Sequence, residues 1–340
     1  MILEQEIPFS WQRILWDNLC MQLESERLAH ANLICGALGT GKNILANAFA
    51  KYVMCSSSEK GITCGNCRNC LLEQGSGHPD IIRIGVEEGK KDISIEQIRS
   101  LSAFFLKTSH GRRAKIALIT DAHHMNTSAA NALLKTLEEP TPSSYLFLVT
   151  HLPGSLPATI RSRCQKLTMP TPTKEEAKTW LRQHAPDQED PKSLLIAARN
   201  CPLLALELVT SGILDNERQF LKKLVQLAEG ETSIQTTVKL ATKLEQAKVI
   251  RYLLEVSTML VRYLLIDQQP RGFRSEHTDL FELFRINHQP AQQMQILRNL
   301  IDFYDMVMES QKNLLSKANP NSQLILESLL WRWSQLRVLQ

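Results

Sequence analysis

Four apolar runs alternate with amphipathic segments over the first 170 residues. The runs have the length and aliphatic content of strands that are buried on both faces. They are N-L-I-C-G-A (32–37), D-I-I-R-I-G (80–85), K-I-A-L-I-T (115–120) and Y-L-F-L-V-T (145–150). Segments between them, such as 43–54 and 126–139, repeat apolar residues at helical spacing. This alternation predicts a doubly wound α/β domain with a parallel sheet.

The pattern changes after residue 169. The segment M-P-T-P-T-K-E-E (169–176) contains two prolines, and Thr173 with Glu176 has the spacing of a helix capping box. Beyond it only helical periodicity is present, with longer helices predicted at 216–229, 236–266, 291–316 and 322–337. We therefore predict three domains: an α/β core (1–169), a small helical domain (170–212) and an all-α domain (213–340).

Composition excludes several classes of protein. The chain has 340 residues, of which 43% are hydrophobic and 22% charged, values typical of a soluble globular protein. No run of about 18 apolar residues predicts a membrane span, and the first residues lack the basic and apolar segments of a signal peptide. The net charge of +4 is too small to indicate nucleic-acid binding by itself. We expect a cytoplasmic protein.

Four of the eight cysteines are clustered. Cys55, Cys64, Cys67 and Cys70 have the spacing C-x8-C-x2-C-x2-C, and Gly65 allows a tight turn between them. Four thiolates without a carboxylate or imidazole indicate a closed, structural Zn²⁺ site. An iron–sulfur cluster and unmetallated thiols are the alternatives. Each of the other four is interpreted as a small core residue: Cys20, Cys35, Cys164 and Cys201.

A glycine-rich loop, G-A-L-G-T-G-K-N (36–43), follows the first predicted strand and precedes a predicted helix. Gly36, Gly39, Gly41 and Lys42 match a loop whose backbone N–H groups and lysine bind nucleotide phosphates. Asn43, however, stands where the phosphate-binding pattern has a Ser or Thr hydroxyl that ligates Mg²⁺. The loop thus has the phosphate-binding residues without the metal-binding hydroxyl.

The residues after the third predicted strand also depart from the ATPase pattern. Asp121 follows K-I-A-L-I-T at the position of the acidic residue that holds the metal in P-loop ATPases. Ala122 occupies the next position, where a Glu commonly polarises the attacking water; we assign no role to His123 and His124, which follow it. Asn43 and Ala122 together predict slow hydrolysis or none, and they leave open whether ATP and Mg²⁺ still bind.

Two further motifs complete a family resemblance. They are S-A-A-N-A-L-L-K-T-L-E-E-P (128–140) and I-R-S-R-C (160–164). With the imperfect phosphate loop and the four-cysteine module, the whole chain resembles the AAA+ clamp-loader subunits of bacterial DNA polymerase III. The resemblance implies an AAA+ core with an inserted zinc module, a helical lid and a C-terminal helical collar that mediates oligomerisation. The degenerate ATPase residues and the length favour the delta-prime group, because the related tau/gamma motors have complete ATPase motifs.

The resemblance also implies roles for single residues. Arg163, in Ser-Arg-Cys, is expected to act as an arginine finger in the ATP site of a neighbouring subunit; Arg161 is a less favoured candidate, and a surface salt bridge is the other interpretation of Arg163. Thr150 is expected to be the polar sensor at the end of the fourth strand. Leu203 and Leu204 lie where the family usually has a second sensor, an arginine.

The segment D-I-S-I-E-Q-I-R (92–99) resembles the family's helix start that faces template–primer DNA, which makes Ser94 and Arg99 candidate DNA contacts. A solvated helix face is the alternative for Arg99.

These features together predict a non-hydrolysing clamp-loader subunit. Its expected partners are the tau/gamma and delta subunits, the sliding clamp and primer–template DNA, within the DNA polymerase III holoenzyme, a DNA-directed DNA polymerase. One alternative is an active tau/gamma-like ATPase. A second is a zinc-dependent nucleic-acid binder, which the near-neutral charge disfavours.

Overall fold

The computed structural model describes residues 8–75, 77–108, 114–186, 191–242, 244, 246–266, 273, 277–284, 290–315 and 321–336. The chain forms two compact units. The first comprises Met1–Gln188 and Ala198–Ala205, and the second comprises Glu189–Ala197 and Leu206–Gln340. In the described residues, the first unit is α/β and the second is all-helical.

A five-stranded parallel sheet forms the centre of the first unit. Its strands are β1 (Ala31–Cys35), β2 (Ile81–Ile84), β3 (Lys115–Ile119), β4 (Ser144–Thr150) and β5 (Gln165–Thr168), in the order β2-β3-β4-β1-β5. Every strand pair is parallel, which confirms the predicted α/β class and the four predicted strands. The sequence analysis missed β5, because this short edge strand has a single buried residue and no apolar run.

Helices cover both faces of the sheet. The helices that lie wholly in the first unit are α1 (Arg13–Glu24), α2 (Lys42–Met54), α3 (Arg68–Gln74), α4 (Ile95–Leu106), α5 (Thr127–Glu138), α6 (Ala158–Arg161) and α7 (Lys174–His184). Side chains alternate across the strands, as in β4, where Phe147 packs with the residues of α1 and α2 and Leu148 with those of α4 and α5. The sheet is therefore buried between two apolar cores.

Side-chain caps explain where several helices begin. Thr173 Oγ1 accepts a hydrogen bond from the backbone N–H of Glu176, and the Glu176 carboxylate accepts one from the N–H of Thr173. This capping box confirms the predicted start of α7. Asn126 Oδ1 caps α5 by accepting a hydrogen bond from the N–H of Ala129 at 2.8 Å.

Eight further α-helices follow in the described residues. They are α8 (Pro191–Ala197), α9 (Pro202–Thr210), α10 (Ile213–Glu229), α11 (Ile234–Ala241), α12 (Gln246–Ile266), α13 (Thr278–Phe284), α14 (Pro290–Leu315) and α15 (Ser322–Ser334). In the second unit, Trp333 is fully buried against Phe303 and donates its indole N–H to the Leu224 carbonyl at 2.9 Å. The predicted helix 236–266 is two helices, α11 and α12, and the predicted ends at 316 and 337 lie outside the described residues.

The predicted small domain 170–212 is divided between the two units. Helix α7 belongs to the first unit and α8 to the second, while α9 begins in the first and continues into the second. The three-domain division stays a prediction. In the described part of the chain, no single helix is long and apolar enough to cross a membrane, although α8 and α9 meet those criteria when taken together as a bent pair.

Candidate functional site

The residues predicted to contact a nucleotide lie at the carboxyl ends of three adjacent strands. The glycine-rich loop follows β1, Thr150 ends β4, and Asp121 follows β3 by two residues. Because the three strands are parallel and adjacent, their carboxyl ends share one edge of the sheet, which is where open α/β sheets bind ligands. The fold therefore brings together groups that are distant in sequence.

The loop has the backbone of a phosphate-binding loop. Gly39 and Gly41 have φ values of 76° and 82°, and α2 begins at Lys42. The Lys42 ammonium is buried and donates a hydrogen bond to the carbonyl of Ala37, within the loop, at 2.6 Å. Burial lowers the pKa of Lys42, and the negative charge of Asp121 acts in the opposite direction. The lysine thus has a partner inside its own loop.

Residues that the sequence analysis missed close the outer side of the loop. The Trp11 indole N–H donates to the Thr40 carbonyl at 3.0 Å, and the Gln12 side-chain amide donates to the carbonyls of Thr40 and Gly41 at 3.0 and 3.2 Å. Phe9 stacks on Trp11, with 4.9 Å between the ring centroids. The aromatic pair close to the N-terminus was the available signal, but nothing in the sequence specified its partner.

Leu203 and Leu204 pack directly against the glycines. A Cβ added at Gly39 would lie 2.4 Å from Leu204 Cβ and 2.7 Å from Leu204 N. One added at Gly41 would lie 3.1 Å from Leu203 Cδ1 and 2.6 Å from Gln12 Nε2. The segment expected to supply a sensor arginine therefore brings apolar atoms to the loop, and these cannot balance phosphate charge.

The two substituted ATPase positions differ in environment. Asn43 is exposed in the first turn of α2. Ala122 is fully buried in the apolar core between the sheet and α4 and α5, where a carboxylate would be desolvated. Asp121, immediately before it, has a left-handed backbone with φ 48° and ψ 48°. Ala122 is therefore an integral core residue of this protein.

Histidines surround Asp121. His123 Nδ1 lies 3.1 Å from the Thr150 hydroxyl, which also accepts a hydrogen bond from the N–H of Leu152 at 3.0 Å. His151 Nδ1 lies 3.8 Å from Asp121 Oδ1. Burial, reinforced by nearby positive groups, lowers the pKa of His123 to about 4 and also lowers the pKa of His151. Thr150, the expected sensor, thus contacts an imidazole.

The four clustered cysteines converge. Their sulfur atoms all lie within 4.8 Å of one another, and Cys55 Sγ is 3.5 Å from Cys64 Sγ. A tetrahedral site with Zn–S distances of about 2.3 Å places its sulfurs about 3.8 Å apart. Backbone N–H groups also point at these sulfurs, such as that of Cys64 at 3.3 Å from Cys55 Sγ and that of Cys67 at 3.4 Å from Cys64 Sγ. The donor set fits a four-coordinate metal ion that prefers sulfur.

Backbone N–H groups around the sulfurs favour ionised thiols at Cys64 and Cys67. The N–H of Ser56 is the main cause that lowers the pKa of Cys67 to about 5, and the N–H groups of Asn66 and Cys67 lower the pKa of Cys64. Burial has the opposite effect on Cys70 and raises its pKa to about 12. A metal ion binding here would displace the proton from Cys70, because only thiolates ligate.

Two side-chain hydrogen bonds are among the contacts that join the cysteine module, residues 55–70, to the core. The Asn69 side-chain amide donates to the Met54 carbonyl at 2.7 Å, and the Trp16 indole N–H donates to the Gly61 carbonyl at 3.2 Å. The contacts hold the module against the end of α2 and against α1.

Arg163 lies in the turn between α6 and β5, with its side chain partly exposed. Its guanidinium donates to the Thr159 carbonyl at 3.0 Å and forms an ion pair with Glu138 at 2.7 Å. Glu138 is the last residue of α5 and belongs to the L-E-E-P end of the 128–140 motif. The arginine is thus held at the surface by contacts within its own chain.

The two candidate DNA contacts begin α4. Ser94 is the N-cap: its hydroxyl accepts a hydrogen bond from the N–H of Gln97 at 3.4 Å, and its own N–H donates to the Gln97 side chain at 2.9 Å. Arg99 is exposed one turn later. The cap gives Ser94 a structural role, and DNA contact by Ser94 and Arg99 stays a prediction.

Comparisons with known proteins show what this chain is similar to. The family model described as DNA polymerase III, delta subunit, matches residues 11–173. The delta-prime subunit of Pseudomonas aeruginosa is 29% identical over 331 residues, which cover 96% of this chain and 98% of that protein. The delta-prime subunit of Escherichia coli is 35% identical over 56% of this chain and 57% of its own length. A solved gamma-subunit-related protein from Thermotoga maritima is 20% identical, with a TM-score of 0.46, over 94% of this chain and all of its own.

Proposed function

Because this chain belongs to the family of DNA polymerase III delta-prime subunits, we propose that it is a non-hydrolysing subunit of the clamp loader that donates Arg163 to a neighbouring ATPase. In this role it loads the sliding clamp onto primed DNA together with the tau/gamma and delta subunits. Its place of action is the cytoplasm, where bacterial replication occurs. It contributes to the polymerase holoenzyme without an ATPase activity of its own.

The observation that carries the proposal is the state of the glycine-rich loop. Leu204 packs on Gly39, in the segment where the family resemblance implies a sensor arginine. The metal-ligating hydroxyl is replaced by Asn43 and the water-polarising carboxylate by the buried Ala122. Three independent requirements of phosphoryl transfer are therefore absent from one site. This favours the non-hydrolysing function over an active tau/gamma-like ATPase.

Arg163, in contrast to the altered ATPase residues, is the residue type that an arginine finger requires, and its side chain is partly exposed. A guanidinium contributed from a neighbouring subunit stabilises charge that develops on the transferred phosphoryl group. The ion pair with Glu138 is partly exposed at both side chains, so water screens it and the arginine exchanges this partner for a phosphate at modest cost. Glu138 orients the side chain until a neighbour's nucleotide is present.

The finer architecture follows from the same proposal. The first unit would be an AAA+ core, α7 with α8 and α9 would form the lid, and the later helices would form the oligomerising collar. We assign structural Zn²⁺ to the site formed by Cys55, Cys64, Cys67 and Cys70, because four sulfurs leave no open coordination position. Ser94 and Arg99 would face primer–template DNA.

The test is reconstitution of the loader with its tau/gamma and delta subunits. Arg163→Ala should assemble normally, since one exposed ion pair contributes about 0.2–1 kcal/mol to stability. At the site that it faces, DNA-stimulated hydrolysis should fall by a factor on the order of 10³–10⁵. The total rate should fall by a smaller fraction, because the other sites keep their own arginines. Arg163→Lys should rescue little, because an ammonium cannot reproduce the planar fork.

Matched variants distinguish the loss of the Arg163 guanidinium from a disturbance of the turn that contains it. Arg161→Ala removes a neighbouring arginine on α6 and should leave hydrolysis unchanged. Glu138→Gln removes the ion-pair partner but keeps the guanidinium, so its effect should be much smaller than that of Arg163→Ala. An Arg163→Ala assembly that hydrolyses ATP and loads clamps at the unmodified rate would refute the role in trans.

The isolated chain distinguishes the two rival functions. ATP hydrolysis at background is expected, and turnover that Lys42→Ala abolishes would establish a tau/gamma-like motor. A zinc-dependent nucleic-acid binder would instead bind DNA in the absence of partners, with an affinity that falls steeply with salt and is lost in Cys67→Ser.

A further inference from the structure

The imidazoles beside the phosphate loop form a group that the proposed function does not use. The side chains of Asp121, His123 and His151 each bring one ligating atom to within 4.8 Å of the other two. They come from two adjacent strand ends, because Asp121 and His123 follow β3 while His151 follows β4. In an ATPase of this fold class, the same edge of the sheet holds Mg²⁺ with the nucleotide.

We propose that Asp121, His123 and His151 bind a divalent transition-metal ion, with Zn²⁺ as the preferred ion, at the position where the fold would otherwise hold Mg²⁺ and ATP. Two imidazoles and one carboxylate are a known ligand set for zinc, with a fourth position left for water. Mg²⁺ prefers oxygen ligands, so replacing oxygen by imidazole nitrogen at this edge shifts the site from magnesium to borderline metals.

The distances permit coordination after a small contraction. Metal bonds of about 2.0–2.2 Å place tetrahedral ligand atoms roughly 3.4 Å apart. His151 Nδ1 and Asp121 Oδ1 are already 3.8 Å apart. The ligand atoms lie within 4.8 Å of one another, so side-chain movements of up to about 1.4 Å bring them to this separation.

Two further features prepare the group for a metal. His151 Nδ1 is buried and has no hydrogen-bond partner, so a metal ion would satisfy a nitrogen that is otherwise desolvated. His123 Nδ1 is held 3.1 Å from the Thr150 hydroxyl, and metal-binding histidines usually have their other ring nitrogen fixed by such a contact. Thr150 is therefore a positioning residue for this site.

Lys42 opposes the ion. Its ammonium acts electrostatically on both imidazoles, and its own hydrogen bond is to the Ala37 carbonyl. A divalent cation bound beside Asp121 would be repelled by this charge. Removing the charge should therefore tighten metal binding, an effect that damage to the fold would not produce.

Zinc titration of the full chain tests the proposal, with a fluorescent chelator as competitor. The unmodified chain should bind two Zn²⁺ ions, one at the four cysteines and one at the new site. His123→Ala and His151→Ala should each bind one. His124→Ala, the matched control, removes an adjacent imidazole that is not among the three ligands and should still bind two. Thr150→Val should lower the affinity of the second site by about 10–100-fold, whereas Lys42→Met should raise it several-fold.

Cobalt distinguishes the two sites by their spectra. Co²⁺ at the cysteines should give intense near-ultraviolet charge-transfer bands that disappear in Cys67→Ser, while the second Co²⁺ should give only weak visible bands that disappear in His151→Ala. Circular dichroism without the second metal ensures that only folded variants are compared. The proposal is overturned if the unmodified chain binds one Zn²⁺ ion or if His151→Ala still binds two. It is also overturned if His124→Ala loses as much Zn²⁺ affinity at the second site as His151→Ala, or if millimolar Mg²⁺ displaces the second ion.

Discussion

Substituting Gly39 tests directly whether the segment around Leu204 packs on the glycine-rich loop. Gly39 has φ 76°, and an added Cβ would lie 2.4 Å from Leu204 Cβ and 2.7 Å from Leu204 N. Such distances are far below van der Waals contact, so Gly39→Ala must displace the backbone at the start of α9 or the loop itself.

Gly89 supplies a matched control. Its φ is also 76°, but an added Cβ there would meet no atom within 4 Å. Both substitutions force alanine into a left-handed conformation, at a cost of about 1–2 kcal/mol, and both gain about 0.4–1 kcal/mol from the stiffer unfolded chain. The difference between the two variants therefore isolates the overlap with Leu204.

Overpacking a well-packed region costs about 1–3 kcal/mol. We therefore expect Gly39→Ala to destabilise the first unit by about 1–3 kcal/mol more than Gly89→Ala does. Leu204→Ala should not rescue Gly39→Ala, because alanine keeps the Cβ that causes the closest contact. Leu204→Gly removes this Cβ and should therefore rescue part of the loss. The rescue should be incomplete, because the contact with the backbone nitrogen of residue 204 persists.

Native-state hydrogen exchange is the suitable assay, because it reports the opening free energy of peptides from β1, β3 and β4 independently of the second unit. Equal losses in Gly39→Ala and Gly89→Ala would refute the packing of Leu204 on the loop. The same result would remove the observation that carries the non-hydrolysing assignment.

Three further outcomes are expected. Chelation of the metal proposed at the four cysteines, or Cys67→Ser, should increase hydrogen exchange in residues 55–75 and around Trp16 while the strands stay protected, because the sheet has its own core. Equal deprotection of β1 and β4 would contradict this. Ala122→Glu should destabilise the first unit by about 3 kcal/mol or more, since it buries a carboxylate without a partner, and it should not restore hydrolysis. Asn43→Thr, at an exposed position, should change the free energy of unfolding by less than about 0.5 kcal/mol in urea titrations. Lowering the pH should release the metal from the cysteine site, because protons compete for the thiolates, and metal retention that is unchanged on acidification would argue against thiolate ligation.

Most of the strands of the first unit could be predicted from local sequence patterns. Buried parallel strands are continuous aliphatic runs, so β1 to β4 stood out, whereas β5 is an edge strand whose exposed residues carry no such signal. The capping box at Thr173 was visible because its two members are neighbours in sequence. The predicted helix 236–266 was wrong in its continuity, since apolar periodicity continues through the break between α11 and α12.

The chemical groups of the candidate sites could likewise be predicted from the sequence, whereas their contacts could not. Local spacing was enough to identify the groups that are present: four thiols at metal-binding spacing, a lysine without its neighbouring hydroxyl, and an arginine in a family motif. Each of these depends on residues only a few positions apart. Spacing alone can therefore predict such local sites.

The contacts of those groups depend on the three-dimensional fold. It placed Leu204 on Gly39, the Trp11 indole on the loop carbonyl of Thr40, and the His151 imidazole beside Asp121. These partners are far apart in the chain, and they meet because parallel strands bring their carboxyl ends to one edge and because the chain returns to the loop at α9. A long-range contact depends on how all the intervening elements pack, so no local pattern specifies it.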